Sequence, residues 1–209
     1  MQAKTVFDEL RNVLIDEQVV FFGAMAHKMY SRYMDKSIYN SVKRIPDFDV
    51  LTQHPEEVAK RVKSKLENAG FKNVKIVKQP PIGELVSEHY ELKIYEDTVL
   101  FLYRPLACHS YNIIRHRNKN VKIATIDTML SFYLAFLYSS RTYYDRNRLL
   151  CMCEYLFKVQ EKNRLAQKGL LRRFSIKCIG QQESIEDIRG HKSELFTKLK
   201  SQKGTDRKS

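Results

Sequence analysis

Two aspartates one residue apart, in the stretch "RIPDFDVL", are the residues of this chain best placed to do chemistry. In a β-strand residues i and i+2 face the same way, so Asp47 and Asp49 project together while Phe48 and Val50 enter the core. Two neighbouring carboxylates repel, which raises a pKa or calls for a cation between them. A hard divalent ion such as Mg²⁺ takes oxygen ligands and commonly uses one or two protein carboxylates, with phosphates and water completing its shell. The pair therefore suits phosphate chemistry. A bare D-x-D also describes a solvated edge pair, so the elements around it must decide.

Those elements read in order. Val6, Leu10, Val13 and Leu14 sit at helical spacing within residues 4–17, and "QVVFFG" follows as a short buried strand ended by Gly23. "AMAHKMYSRYM" returns to helical spacing through Met25, Met29 and Tyr33, and "DKSIYNSVKRIP" reads as a basic loop. "DFDVLT" is a strand after a proline, and "EEVAKRVKSKLENAG" an amphipathic helix through Val58, Val62, Leu66 and Ala69, closed by Gly70. "VKIVK", "HYELKIY" and "TVLFLY" are strands. From Thr125 the pattern turns to long helices, about 125–139 and 142–166, with a core stripe through Met129, Phe132, Leu134, Phe136 and Leu137. Ser184 and Asp187 resemble a capping box ahead of a last helix to about Leu199. The expected organisation is an α+β domain over 1–115, a helical domain over 116–199 and a flexible basic tail over 200–209. A glycine between a buried strand and a helix lets phosphate approach the helix N-terminus with no β-carbon in the way.

The 209 residues carry 37 Lys and Arg against 24 Asp and Glu, a formal net charge of +13. That excess favours a polyanionic partner, nucleic acid above membrane. The longest uncharged apolar stretch, "TMLSFYLAFLYSS", is too short for a bilayer span of roughly 20 residues. "MQAKTVFDELRNVLIDE" mixes charges throughout, unlike a secretory signal. The four cysteines, Cys108, Cys151, Cys153 and Cys178, form no CxxC pair, and the expectation is reduced core thiols in a cytosolic compartment.

A glycine turn and helix followed by a strand carrying D-x-D is the ordered pattern of the nucleotidyltransferase superfamily. Here "FFGAMAHKMY" looks like its glycine motif and "PDFDVL" like its aspartate motif. More specifically, the chain resembles the poly(A) polymerase catalytic subunits of large nucleocytoplasmic DNA viruses, through "FFGAMAHKMYSRYM", "IPDFDVLT", "YRPLACHSYN", "IDTMLSFYLAFLY" and, most distinctively, "GLLRRFSIKCIGQQESIEDIRGHK". The resemblance implies a nucleotidyltransferase-like mixed sheet with helices, followed by a helical region, and template-independent transfer of AMP from ATP to an RNA 3′ end. It implies that Asp47 and Asp49 hold Mg²⁺ or Mn²⁺ and that Gly23 and Ala24 cradle the triphosphate. Basic segments such as "RHRNKNVK" and "LLRRF" would neutralise RNA phosphates. The implied partners are an RNA 3′ end, ATP, and either a second copy of the chain or a processivity subunit, with no membrane. The implied location is cytoplasmic, in a viral factory or virion.

The chain departs from that pattern in two places. Ala24 stands where the glycine motif usually has Gly or Ser, which leaves backbone N–H groups accessible but removes a hydroxyl. The third carboxylate, normally on a neighbouring strand, is missing from "TVLFLYRP", where Phe101 stands near its expected position. That acid commonly helps deprotonate the attacking hydroxyl, so its loss bears on catalysis more than on nucleotide binding. A catalytically degenerate relative that binds RNA or a polymerase partner is therefore the alternative. Glu91 alternates with Tyr90 and Leu92, and either cleft or solvent remains open to it, solvent being expected. His27 is expected on a partly exposed helix face, and His109 beside Cys108 lacks a third group to make a nucleophile and base. "RTYYDRNR" mixes bases with aromatics, fitting either a stacking surface or a helix start whose tyrosines cover the core.

Overall fold

The computed structural model describes residues 3–34, 47–83, 86–116, 118–139 and 144–205. The expected basic loop over 35–46 lies outside the described residues. The elements run α1 (Ala3–Asp16), β1 (Val20–Phe22), α2 (Gly23–Tyr30), a 3₁₀ turn (Ser31–Tyr33), β2 (Phe48–Leu51), α3 (Pro55–Asn68), β3 (Val74–Gln79), β4 (His89–Ile94) and β5 (Asp97–Tyr103). There follow β6 (His109–His116), β7 (Lys119–Ala124), α4 (Ile126–Tyr138), α5 (Arg146–Lys162), a second 3₁₀ turn (Gly169–Leu171), β8 (Cys178–Ile179) and α6 (Ile185–Thr205).

Local sequence explains these elements. Pro55 opens α3, Glu56 and Glu57 face its positive end, and Val58, Ala59, Val62 and Leu66 form its buried stripe. Thr125 caps α4 by accepting the Thr128 N–H at 3.3 Å, and Asp145 caps α5 by accepting the Arg148 N–H at 2.6 Å. The Ser184–Asp187 box closes as expected: the Ser184 N–H donates to the carboxylate at 3.1 Å and the Asp187 N–H to the hydroxyl at 3.1 Å. Asp serves in the return position.

The strands form one mixed sheet in the order β3-β4-β5-β2-β1-β7-β6-β8. β1 runs antiparallel to β2 and parallel to β7, and β2 runs parallel to β5. On one face Phe48 meets Phe21 and, across to α1, Phe7 at 5.7 Å between ring centroids. On the other, Phe22 packs at 4.9 Å on Phe132 of α4, and Tyr103 at 5.6 Å on Phe136. The sheet is thus sandwiched between α1 with α3 and α2 with α4 and α5.

Four expectations change. The β6–β7 hairpin lies in the stretch read for basic charge, and the expected boundary at 115/116 falls at the end of β6, so β7 belongs to the sheet beside β1. The last helix continues past Leu199 to Thr205, into the stretch expected to be a tail. Leu134 leaves the core stripe and is exposed, while Met129, Phe132 and Phe136 are buried. Cys108 and Cys178 are not reduced thiols: they form a disulfide joining the entry of β6 to β8, with Cα atoms 5.4 Å apart. The thiols of Cys151 and Cys153 are free, so the cysteines do not argue for a reducing compartment. No described helix is long and apolar enough to cross a membrane.

Candidate functional site

β1 delivers the chain into α2 through Gly23, whose φ is +60°, a left-handed conformation that favours glycine. A second reason for glycine lies across the sheet. Phe22 pairs with Asp49 of β2, and a β-carbon on Gly23 would sit 2.7 Å from the Asp49 Cγ. The absent side chain leaves room for the carboxylate over the start of α2, where the Phe22 cap offers no side-chain acceptor. Ala24, the next helical residue, lines the same cleft. The structure therefore brings Gly23, Ala24, Asp47 and Asp49 together.

Both acids are held above the ordinary carboxylate range. For Asp49 the main cause is burial, reinforced by the charge of Asp47; for Asp47 it is burial; the Arg148 guanidinium partly offsets both. Asp49 accepts no hydrogen bond among the described residues, and Arg148 is the cation that offsets its charge. A half-buried pair of oxygen donors, only partly offset by Arg148 and open to a cleft, fits a hard divalent cation, with Asp47 and Asp49 as its protein ligands.

The third corner of the site differs. Asp49 is directly opposite Phe101 of β5, and Phe101 is directly opposite Glu91 of β4. Residues in register share a face, so Glu91 does lie on the face of Asp49, two strands away or about 10 Å. It is 5% exposed, not turned to solvent. Its carboxylate accepts from the Gln79 side chain at 2.9 Å and from Thr98 at 3.4 Å, and pairs with Lys93 at 3.5 Å. Phe101 stands between it and the aspartates. Among the described residues no three His, Cys, Asp or Glu side chains converge on a common metal position.

The cleft holds about 120 Å³ and is lined further by Tyr133, Phe136, Tyr144, Asp145 and Arg148. Tyr144 stacks on Phe136 at 4.3 Å and 14°, and its hydroxyl lies 2.9 Å from that of Tyr103. Of "RTYYDRNR", then, Tyr144 both covers the core and borders the cleft, while residues 140–143 lie outside the described residues. The sequence marks Arg148 only as the last base of "RTYYDRNR" and does not mark Tyr133 as a site residue, because both reach the aspartates only through the packing of α4 and α5 on one face of the sheet.

The histidines do other work. His27 is 2% exposed, not half-exposed: it packs against α4 and α5, its ring 5.7 Å from Tyr133 and 5.3 Å from Tyr155, and it does not line the cleft. Burial, with Arg148 nearby, depresses its pKa to about 3. The His109 ring packs at 4.9 Å on Phe132, and Cys108 is tied in the disulfide, so no nucleophile and base pair forms.

No family model and no curated protein matches the sequence. Among solved structures the chain is similar to the Megavirus polyadenylate synthase, with a TM-score of 0.65 and 14% identity over 93% of this chain and 41% of that one. The chain thus spans about two-fifths of the length of that structure's chain. An antigenic nucleotidyltransferase-like protein from Paracoccidioides brasiliensis aligns over 73% of this chain and 77% of its own at 15% identity, with a TM-score of 0.43. The first likeness establishes a nucleotidyltransferase-like fold, as the glycine and aspartate motifs led one to expect.

Proposed function

We propose that the chain is a metal-dependent nucleotidyltransferase that transfers AMP from ATP to RNA 3′ ends, in the manner of a poly(A) polymerase catalytic subunit. The observation that carries the reading is the apposition of Gly23 and Asp49: a glycine kept bare so that a half-buried carboxylate, offset only in part by Arg148, can lie at a helix N-terminus beside Asp47. Asp47 and Asp49 would hold Mg²⁺ or Mn²⁺, which supplies charge stabilisation to the phosphoryl group being transferred. The start of α2 offers uncapped N–H groups to phosphate oxygens. Arg148, across the cleft, adds a positive charge facing the same volume. The net charge of +13 supports RNA as the acceptor.

A second reading is favoured by one residue. Phe101 occupies the register position beside Asp49 and keeps Glu91 away, and the other carboxylate lining the cleft, Asp145, is engaged in capping α5, so the usual third acid for taking the proton of an attacking hydroxyl is not in place among the described residues. A chain that binds nucleotide or RNA without turning it over fits that arrangement. Extension of a labelled oligoadenylate primer with each of the four NTPs, in Mg²⁺ and in Mn²⁺, separates the two. The polymerase reading expects extension with ATP that disappears in Asp49→Ala. No extension by folded protein that still binds RNA would replace it with the silent reading.

A further inference from the structure

Two basins lie side by side on the surface built by the start of α4, the second half of α5 and residues 163–175. The larger, about 610 Å³, is walled by Phe157, Leu171 and Phe174 and edged by Gln160, Asn163 and Arg164. The smaller, about 470 Å³, is lined with hydroxyls from Ser110, Thr128, Ser131 and Ser175. Arg173 and Phe174 line both, so they form the ridge between them. Neither basin shares a residue with the cleft of Asp47 and Asp49.

The ridge is held firmly although its tip is bare. Arg173 donates from Nη2 to Asp127 Oδ1 at 2.9 Å and from Nε to Oδ2 at 3.2 Å, and its guanidinium lies 5.4 Å from the Phe174 ring. That ring is 82% exposed, and Phe157 across the larger basin is 58% exposed. Around them Arg164, Lys168 and Arg172 form no ion pair among the described residues. The acids lining the basins are Glu161 and Asp127, and Asp127 is already tied to Arg173.

We propose that this paired basin binds single-stranded RNA, with successive bases on either side of the Phe174 ring and the phosphates met by the arginines and lysine. Exposed aromatic faces interleaved with uncompensated cations are the means by which proteins hold unpaired strands, because every base offers a π-face and every nucleotide a phosphate. A ring standing between two basins, each roomy enough to admit a base, requires bases splayed apart, which a duplex does not supply. Volumes of this size lie in the range of about 300–1,000 Å³ that takes a small ligand. From Thr128 to Phe136, α4 advances about 12 Å toward the catalytic cleft. The basins would thus hold a segment of the strand back from the reacting 3′ end. The proposal rests on the RNA reading above and adds where the strand lies.

The test is fluorescence anisotropy of a labelled oligoadenylate with the intact chain, alongside calorimetric titration of ATP in Mg²⁺. Phe174→Ala is expected to weaken oligoadenylate binding about tenfold or more, from the loss of a stacking platform. Phe174→Trp should retain it, Tyr95→Ala at the exposed β4–β5 turn should leave it unchanged, and ATP binding should not move in any of the three. Oligoadenylate affinity equal to wild type in Phe174→Ala would overturn this site while leaving the RNA reading standing. A wild-type chain that binds ATP but no oligoadenylate would overturn both. Duplex RNA bound as tightly, with the same dependence on Phe174, would also overturn the proposal, since the basins would then not be reading splayed bases.

Discussion

At the scale of single residues, the site is a compromise between burial and charge. Asp49 has its ionisation suppressed by burial and by Asp47, so its folded-state pKa lies above its unfolded one. Such a group leaves the protein at full stability below the unfolded pKa of about 4 and costs stability as pH rises above it, because the unfolded chain then loses the proton more readily. Asp49→Asn is therefore expected to raise the melting temperature of the metal-free protein at pH 7 and to have little effect at pH 4. Added Mg²⁺ should stabilise the wild type alone. Thermal melts across that pH range check this, and a variant less stable than wild type at pH 7 would refute the stated electrostatics. Gly23→Ala makes a second case: the left-handed backbone costs about 1–2 kcal/mol for a residue with a β-carbon, and the methyl also collides with Asp49. Part of the loss should return in Gly23→Ala/Asp49→Ala, so that the two changes are non-additive in denaturant titrations; strict additivity would mean that the glycine serves the backbone alone. Asp47, Asp49 and Gly23 were legible in the sequence because a period of two and a glycine turn are local signals. The nearness of Arg148 and Tyr133 was not, because about a hundred residues of chain separate them from the acids they influence and only the tertiary packing of α4 and α5 joins them.

At the scale of elements, the strands were legible where residues keep a period of two, as in β4, or form a short continuous apolar run, as in β5. The β6–β7 hairpin was not. Ile113 and Ile114 are adjacent in it, breaking the period of two, and Arg115, His116, Lys119 and Lys122 gave the segment the appearance of a basic surface run. Leu134 was misplaced because the stripe on α4 was drawn too wide: the buried residues Met129, Phe132, Tyr133 and Phe136 fill the face toward the sheet and α5 without it. The disulfide was missed because Cys108 and Cys178 are 70 residues apart and become neighbours only through the pairing of β6 with β8. Cross-linking across a loop of that length stabilises by up to about 4 kcal/mol through the unfolded chain. Cys178→Ser is expected to lower the melting temperature in the absence of reductant and to have no effect in its presence. A thiol titration of the unfolded wild type should then find two reactive cysteines before reduction and four after; four before reduction would remove the link. Phe101→Asp, on β5, is the complementary change at the site: it places an acid in register with Asp49, and should destabilise the metal-free fold while increasing primer extension in Mg²⁺. Extension no greater than wild type in a folded variant would show that more than the third acid is missing.

At the scale of the whole molecule, the proposed cation site and the proposed RNA basins lie at separate ends of the same helices. The aspartates and Gly23 meet where α5 begins, and the exposed aromatic ridge with its arginines stands where α4 begins. On the proposed RNA reading, a net charge of +13 would make binding strongly dependent on salt, and a loss of affinity on going from low to physiological ionic strength is the expected outcome of the anisotropy titration. The central claim is that Asp47 and Asp49 form a cation-dependent nucleotide site. The measurement that tests it most directly is calorimetric titration of ATP into the wild type, Asp47→Ala and Asp49→Ala, each with Mg²⁺ and with EDTA. The account predicts binding by the wild type in Mg²⁺ that vanishes in EDTA and in both variants. Binding that persists unchanged in the variants or without the cation would contradict it.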